Sequence, residues 1–224
     1  MGLLPPAFST ELYRDVVGVA TASPAWVQDF MRHFTELSII LLMLLWLAAW
    51  WRARSAPATT MALALVGPAA GVTAYLTSEV AKTFLTEERP CRAVGLPIVA
   101  AECPPVGDWS FPSNHSTIAG ALFIAVFLVS WRLGIAAMIV GTSAAFSRVF
   151  VGVHYPHDVL TGFFLGATLT ALVTLLVLRP ATRAVTFLRA VPALRPILAT
   201  PAAMVPATVR AERPLAGTGT RHHR

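Results

Sequence analysis

Lysine is almost missing from this chain: sixteen of its 17 basic residues are arginines, and the single lysine is Lys82. Charge of either sign is scarce, at 12% of 224 residues, about half the share usual in soluble domains. Cysteine is limited to Cys91 and Cys103, whose spacing does not suit a metal site. No aspartate-rich cluster is present to hold magnesium. Residues 1–8 lack the basic start and continuous apolar stretch of a cleavable signal peptide, so the first membrane span is expected to serve as the targeting signal. The eight arginines from Arg179 onward face one acid, Glu212, but nothing aromatic or glycine-rich interleaves them, which argues against nucleic-acid binding.

What is abundant is apolar: 56% of residues are hydrophobic and the mean hydropathy is +0.67. This composition predicts an all-α integral membrane protein, with about five transmembrane helices in one bundle. The spans are expected at about 34–51, 60–85, 113–131, 133–153 and 157–178. Residues 1–33 recur in charge too often to cross a bilayer. They read as two amphipathic helices, the second opened by Ser23-Pro24, lying in the membrane interface or packed on the loops. In the counter-reading, residues 10–33 form a sixth span. The membrane domain is expected over 34–178, and 179–224 as a basic, largely disordered tail.

Arginines mark the topology. Arg52 and Arg54 follow Trp50-Trp51, Arg132 joins the third and fourth spans, and the tail is basic. All three are expected on the cytoplasmic side, which places the loops after spans two and four outside. Cys91 and Cys103 share one of those loops, where a disulfide would persist and stiffen it; two separate thiols are the alternative.

Three clusters on that outer side carry chemistry. Lys82 precedes Arg89 by seven residues, a helical separation that would offer two cations from one face, and Pro90 is expected to end that helix. Lys82 could equally be a snorkelling lysine, and Glu79, one turn earlier, is its expected partner. Phe111-Pro112-Ser113-Asn114-His115 sets a helix cap at Ser113, with free amides and a helix dipole that favour an anion, and places His115 as a proton donor. Ser147-Arg148, His154 and Asp158 complete the set. His154 can attack phosphorus, Asp158 can orient it, and Arg148 can neutralise phosphate oxygens. His157 adjoins Asp158 but would point elsewhere on the helix, and reads as an interface residue. Gly162 and Gly166 suit close helix packing or a homodimer. His222 and His223 read as tail.

In this order, Lys-x6-Arg-Pro, Pro-Ser-x-His and Ser-Arg-x5-His-x3-Asp resemble the type 2 phosphatidic acid phosphatase superfamily over residues 82–158. Among its members the chain looks most like the bacitracin-resistance type of undecaprenyl-diphosphate phosphatase, through its amphipathic start, Thr35-Glu36 and the SFPSNH stretch. The resemblance implies a cofactor-free, metal-independent hydrolase in the bacterial plasma membrane, with its site on the extracytoplasmic side. The implied substrate is a polyprenyl diphosphate in the outer leaflet, converted to the monophosphate and inorganic phosphate. It makes His154 the nucleophile that becomes phosphohistidine, Asp158 its orienting partner and His115 the acid. Lys82, Arg89, Ser113 and Arg148 would bind phosphate, with amides near Asn114, which stands where the superfamily commonly has glycine. Phosphatidylglycerophosphate, phosphatidate or a prenyl-phosphosugar are alternative substrates, and a catalytically silent lipid-binding protein is the non-enzyme alternative.

Overall fold

A computed structural model describes residues 4–199. Its helices are α1 (Ala7–Ala22), α2 (Ala25–Ala53), α3 (Ala58–Phe84), the single turn α4 (Pro90–Ala93), α5 (Asn114–Val129), α6 (Trp131–Phe150), α7 (Pro156–Leu188) and α8 (Arg195–Leu198), with a 3-10 turn at Pro192–Leu194 before α8. No strand occurs among the described residues. Four helices, α2, α3, α6 and α7, are long and apolar enough to cross a membrane, and α5 is a shorter apolar helix of 16 residues.

α5 is the axis of the bundle, packed against α2, α3, α6 and α7. At about 1.5 Å per residue its 16 residues fall short of a full bilayer crossing. The neighbours that enclose it, rather than lipid, meet most of its surface. Small residues make this possible: Ala119, Gly120, Ala121 and Ala125 are buried along α5. A Cβ on Gly120 would lie 2.0 Å from the Phe163 carbonyl oxygen, and one on Gly166 would lie 2.0 Å from that of Thr117. Helices in lipid gain cohesion from such close backbone approach, since burial from water is not the driving force there. The Gly162/Gly166 pair is thus occupied within the chain, joining α7 to α5.

Several boundaries differ from expectation. The second amphipathic helix is not separate: it forms the first turns of α2, because no proline or glycine interrupts 25–53. Trp26 and Phe30, on that stretch, remain exposed. α1 docks on α6 and α7 by burying Tyr13, Val17 and Ala20, while Leu4, Phe8, Leu12 and Val19 face outward. The last span continues ten residues past Leu178 to Leu188, through Pro180. Arg189 then caps this end, its Nε donating to the Leu198 carbonyl (2.9 Å) and Nη2 to that of Ala53 (3.4 Å). Most of the expected tail, residues 200–224 with His222 and His223, lies outside the described residues.

α3 stops at Phe84, so Lys82 and Arg89 do not share a helix. Arg89 precedes a proline and is extended (φ −66°, ψ 142°), as such a residue is biased to be; Pro90 opens α4 rather than ending α3. Cys91 and Cys103 are disulfide-bonded, with Cα atoms 5.9 Å apart.

Candidate active site

The C-terminal ends of α3 and α6 and the N-terminal ends of α5 and α7 meet at one end of the bundle. The arginines after α2, between α5 and α6 and after α7 lie at the other. Two helix N-termini therefore contribute positive dipole ends to a place already rich in cations.

His154 sits in the short connection from α6 to α7 and is 2% exposed. The connection turns at Gly152, whose φ of +89° is a conformation that side chains other than glycine's rarely adopt. Arg89 Nη1 approaches His154 Nε2 at 3.1 Å. A guanidinium can only donate, so Nε2 is the acceptor and carries a lone pair. The proton is then on Nδ1, which faces Asp158 Oδ2 at 3.3 Å. Asp158, fully buried in the first turn of α7, also accepts from Ser110 Oγ (2.5 Å) and from the Tyr155 amide (2.8 Å) on the same oxygen. Burial pushes the His154 imidazole well below its ordinary range, and the charges of Arg89, Arg148, Lys82 and His115 add to that. The result is a neutral imidazole whose unprotonated nitrogen is held by Arg89 among basic side chains.

Asp108 joins Lys82 to Arg89, its carboxylate lying 3.3 Å from Lys82 Nζ and 3.0 Å from Arg89 Nη2. Burial acts to raise the Asp108 carboxyl, but Arg89 and Lys82 together outweigh it and hold it below the ordinary range. Arg89 is anchored further by carbonyls, Nε on Asp108 O (2.7 Å) and Nη1 on Val153 O (3.1 Å). Arg148 Nη1 donates to Thr35 Oγ1 (3.0 Å) and Glu36 Oε1 (3.2 Å), while its buried Nε has no partner among the described residues. His115 Nε2 lies 3.3 Å from the other Glu36 oxygen. The side-chain contacts thus form two groups, Lys82–Asp108–Arg89–His154–Asp158 and Arg148–Glu36–His115, and the charges of Arg148 and His115 reach His154 from the second.

Ser113 and Asn114 are placed differently. Ser113 caps α5, accepting from the Ser116 amide (3.5 Å), and donates its own amide to the Asp158 carbonyl (3.2 Å). The Asn114 side chain is taken up by α3, with Oδ1 accepting from Ser78 (2.8 Å) and Nδ2 donating to Glu79. Glu79 therefore pairs with Asn114, and Lys82 with Asp108 instead, because α3 turns its Glu79 face towards α5. Ser147 does not line the cradle either: it donates to the Ala144 carbonyl (2.7 Å) and lies 3.0 Å from the Thr35 hydroxyl.

His157 is not an interface residue. Its Nε2 lies 3.2 Å from both Glu87 Oε2 and Asp158 Oδ1, and its Nδ1 lies 2.8 Å from Ser9 Oγ of α1. Glu87 is 2% exposed. Glu87, His157 and Asp158 form the one carboxylate–imidazole group of metal-ligating type among the described residues, with the imidazole bridging the two acids. Sequence reasoning missed Glu87, Asp108 and Ser110 as site residues. Each is an acid or hydroxyl in a polar loop, and only the proximity of Ser110 to the Pro-Ser cap was a signal.

An apolar cleft of about 340 Å³ runs between α2, α3 and α5, lined by Ile39, Trp46, Tyr75, Ile118 and Leu122 among others. Ile39 and Ile118 lie one turn below Glu36 and His115, so the cleft leads away from the cationic site along the bundle.

Fold and site together define a polytopic membrane protein with a buried imidazole–carboxylate pair beside basic side chains at one end of its helix bundle. Residues 59–181 match the model of the PAP2 superfamily, and the chain belongs to that superfamily. It is 32% identical over 151 residues to undecaprenyl-diphosphatase BcrC of Bacillus subtilis, covering 67% of this chain and 74% of that one. It is 35% identical over 105 residues to an undecaprenyl-diphosphatase of Sulfolobus acidocaldarius, covering 45% of this chain. That match spans 48% of the archaeal relative, about half its length. Among solved structures, a transmembrane PAP2 type phosphatidylglycerolphosphate phosphatase from Bacillus subtilis shares the fold at a TM-score of 0.54 and 24% identity, over 75% of this chain and 83% of that one.

Proposed function

We propose that this protein is a membrane lipid-phosphate phosphatase that hydrolyses a polyprenyl diphosphate to the monophosphate and inorganic phosphate. The observation that carries the reading is the state of His154: Nε2 is unprotonated and held by Arg89, with Nδ1 on Asp158. In the first step Nε2 attacks the terminal phosphorus. Arg89 Nη1 passes from Nε2 to a phosphate oxygen, the P–O bond to the leaving oxygen breaks, a P–N bond forms, and the His115 imidazolium gives its Nε2 proton to the leaving oxygen. In the second step His115 takes a proton from water as its oxygen attacks phosphorus, and the P–N bond breaks to return His154 and free phosphate.

Asp158 stabilises the imidazolium character that develops on His154. Lys82, Arg89 and Arg148 carry charge that complements the equatorial oxygens in the transition state. The unpartnered Nε of Arg148 supplies a donor for one of them. With these cations in place the reaction is proposed to run without a metal or cofactor. The apolar cleft suits a long prenyl chain, with the head group at the His115 end. The arginines at the opposite end support a head group on the extracytoplasmic side of the bacterial plasma membrane, in the outer leaflet. The relatives named undecaprenyl-diphosphatase support the polyprenyl diphosphate, with phosphatidylglycerophosphate, phosphatidate or a prenyl-phosphosugar as the alternatives.

The test is phosphate release by the purified protein from these four lipids, with His154→Ala beside wild type. The polyprenyl diphosphate is expected to be turned over fastest, with inhibition by vanadate and no loss in a chelator. Residual turnover by His154→Ala near the wild-type rate would remove the nucleophile assignment, and preference for another lipid would remove the substrate.

A further inference from the structure

Glu36 lies near the start of the membrane-crossing part of α2, and its side chain is 66% exposed. An exposed acid at a membrane surface is normally of little energetic consequence, and so is an exposed ion pair. This one is different in what it meets. Its two carboxylate oxygens divide between two groups of the site, Oε1 on Arg148 Nη1 at 3.2 Å and Oε2 on His115 Nε2 at 3.3 Å. Thr35, the preceding residue, holds the same Arg148 nitrogen at 3.0 Å, so α2 clamps that guanidinium from one side.

An ionised carboxylate can only accept a hydrogen bond, so the contact with His115 requires a proton on Nε2. When Nδ1 is protonated as well, the ring is an imidazolium, and this Nε2 proton is the one it can pass to a leaving oxygen. Glu36 is also where a leaving group would arrive. Ile39 and Ile118, one turn below Glu36 and His115, line the apolar cleft. A lipid diphosphate whose chain lies in the cleft brings its inner phosphate, and with it the bridging oxygen that leaves with that phosphate, to the mouth formed by these two residues.

We propose that Glu36 is a positioning residue for the acid: it holds the His115 ring with a protonated Nε2 turned to the mouth of the cleft, and gives way to the leaving oxygen when the lipid binds. His115 then stands to Glu36 as His154 stands to Asp158, with one difference. Asp158 is buried and fixed, whereas Glu36 is exposed and free to move aside. No bond is made or broken at Glu36 itself. This inference rests on the phosphatase reading above.

The test is leaving-group dependence. An alkyl phosphate such as short-chain phosphatidate expels a basic alkoxide and needs the proton, whereas p-nitrophenyl phosphate expels a stabilised phenolate and does not. Glu36→Gln is expected to lower kcat for the alkyl ester by about 10- to 100-fold, a part of what a general acid contributes. It should change kcat for the nitrophenyl ester by less than about threefold and leave both KM values within about threefold, if Glu36 acts through the acid alone. Glu36→Asp, which keeps the acceptor, should recover part of the alkyl-ester rate. Equal losses on both esters, or a rise in both KM values, would mean that Glu36 only braces Arg148 and would overturn the proposal. An unchanged alkyl-ester rate would overturn it as well. A wild type that hydrolyses no phosphate ester would overturn the phosphatase reading itself, a result separable from all of these. Size-exclusion profiles of the variants distinguish lost chemistry from lost folding.

Discussion

Gly162→Ala tests whether the site depends on how closely two helices approach. Gly162 follows Asp158 by one turn on α7 and faces the cap of α5. A Cβ there would lie 2.4 Å from the Ser113 carbonyl oxygen and 3.1 Å from Thr117 Oγ1, where ordinary contact starts at 3.4 Å. The obstacle is backbone, so it cannot rotate away, and α5 and α7 must separate by about 1 Å, a displacement that can cost on the order of 100-fold in rate when it falls between catalytic groups. Here it does so: α5 carries His115, α7 carries Asp158, and the Ser113 amide that donates to the Asp158 carbonyl at 3.2 Å would be pulled off it. Overpacking of this kind costs about 1–3 kcal/mol, so the variant is expected to remain folded but lose stability. The assay is the initial rate of phosphate release in detergent micelles, with a thermal unfolding midpoint measured on the same sample. Gly18→Ala on α1, where an added Cβ meets nothing within 4 Å, is the matched control and should behave as wild type. A Gly162→Ala protein with the wild-type rate would refute the claim that this contact sets the catalytic geometry.

Other expectations follow from the charges around His154. Because burial and four neighbouring cationic or imidazole groups hold this imidazole below its ordinary value of 6.5, its neutral, nucleophilic form persists as pH falls through that value. The acid limb of kcat/KM attributable to His154 should therefore lie below pH 6.5, and a limb at or above it would contradict the assigned environment. Asp108 is half-exposed and neutralises Lys82 and Arg89, so it competes with any incoming oxyanion. Asp108→Asn is expected to tighten inhibition by vanadate or phosphate by up to about fivefold, the scale of a partly exposed ion pair. Weaker inhibition would show that Asp108 organises the two cations rather than competing for them.

The legible part of the fold was the part written in runs and periods. Apolar stretches announced the membrane helices, and arginines beside Trp50-Trp51 and after Leu178 separated one end of the bundle from the other. Helix ends were read less well. Pro90 was expected to stop a helix and instead starts one, since a proline is as welcome at a first helical position as it is unwelcome inside. The joining of the second amphipathic segment to α2 could not be seen, because an amphipathic face and a lipid face differ in composition but not in backbone. At the site, the basic residues and histidines stood out because ionisable groups are rare near membrane helices. Their counter-charges did not stand out. Asp108, Glu36 and Glu87 lie 26, 79 and 70 residues from the groups they meet, and no local pattern encodes such pairings.

By itself, then, the sequence determined that this chain lives in a bilayer and which of its basic residues and histidines, His157 apart, meet at one end of the helix bundle. Hydropathy and charge are properties of residues, and the membrane sorts residues by them wherever they fall in the chain. Only the tertiary structure decided which nitrogen of His154 is unprotonated, which acid each cation meets, and that the glycines of α7 serve its contact with α5. Those outcomes depend on distances of an ångström or less between segments far apart in the chain, and packing alone sets such distances.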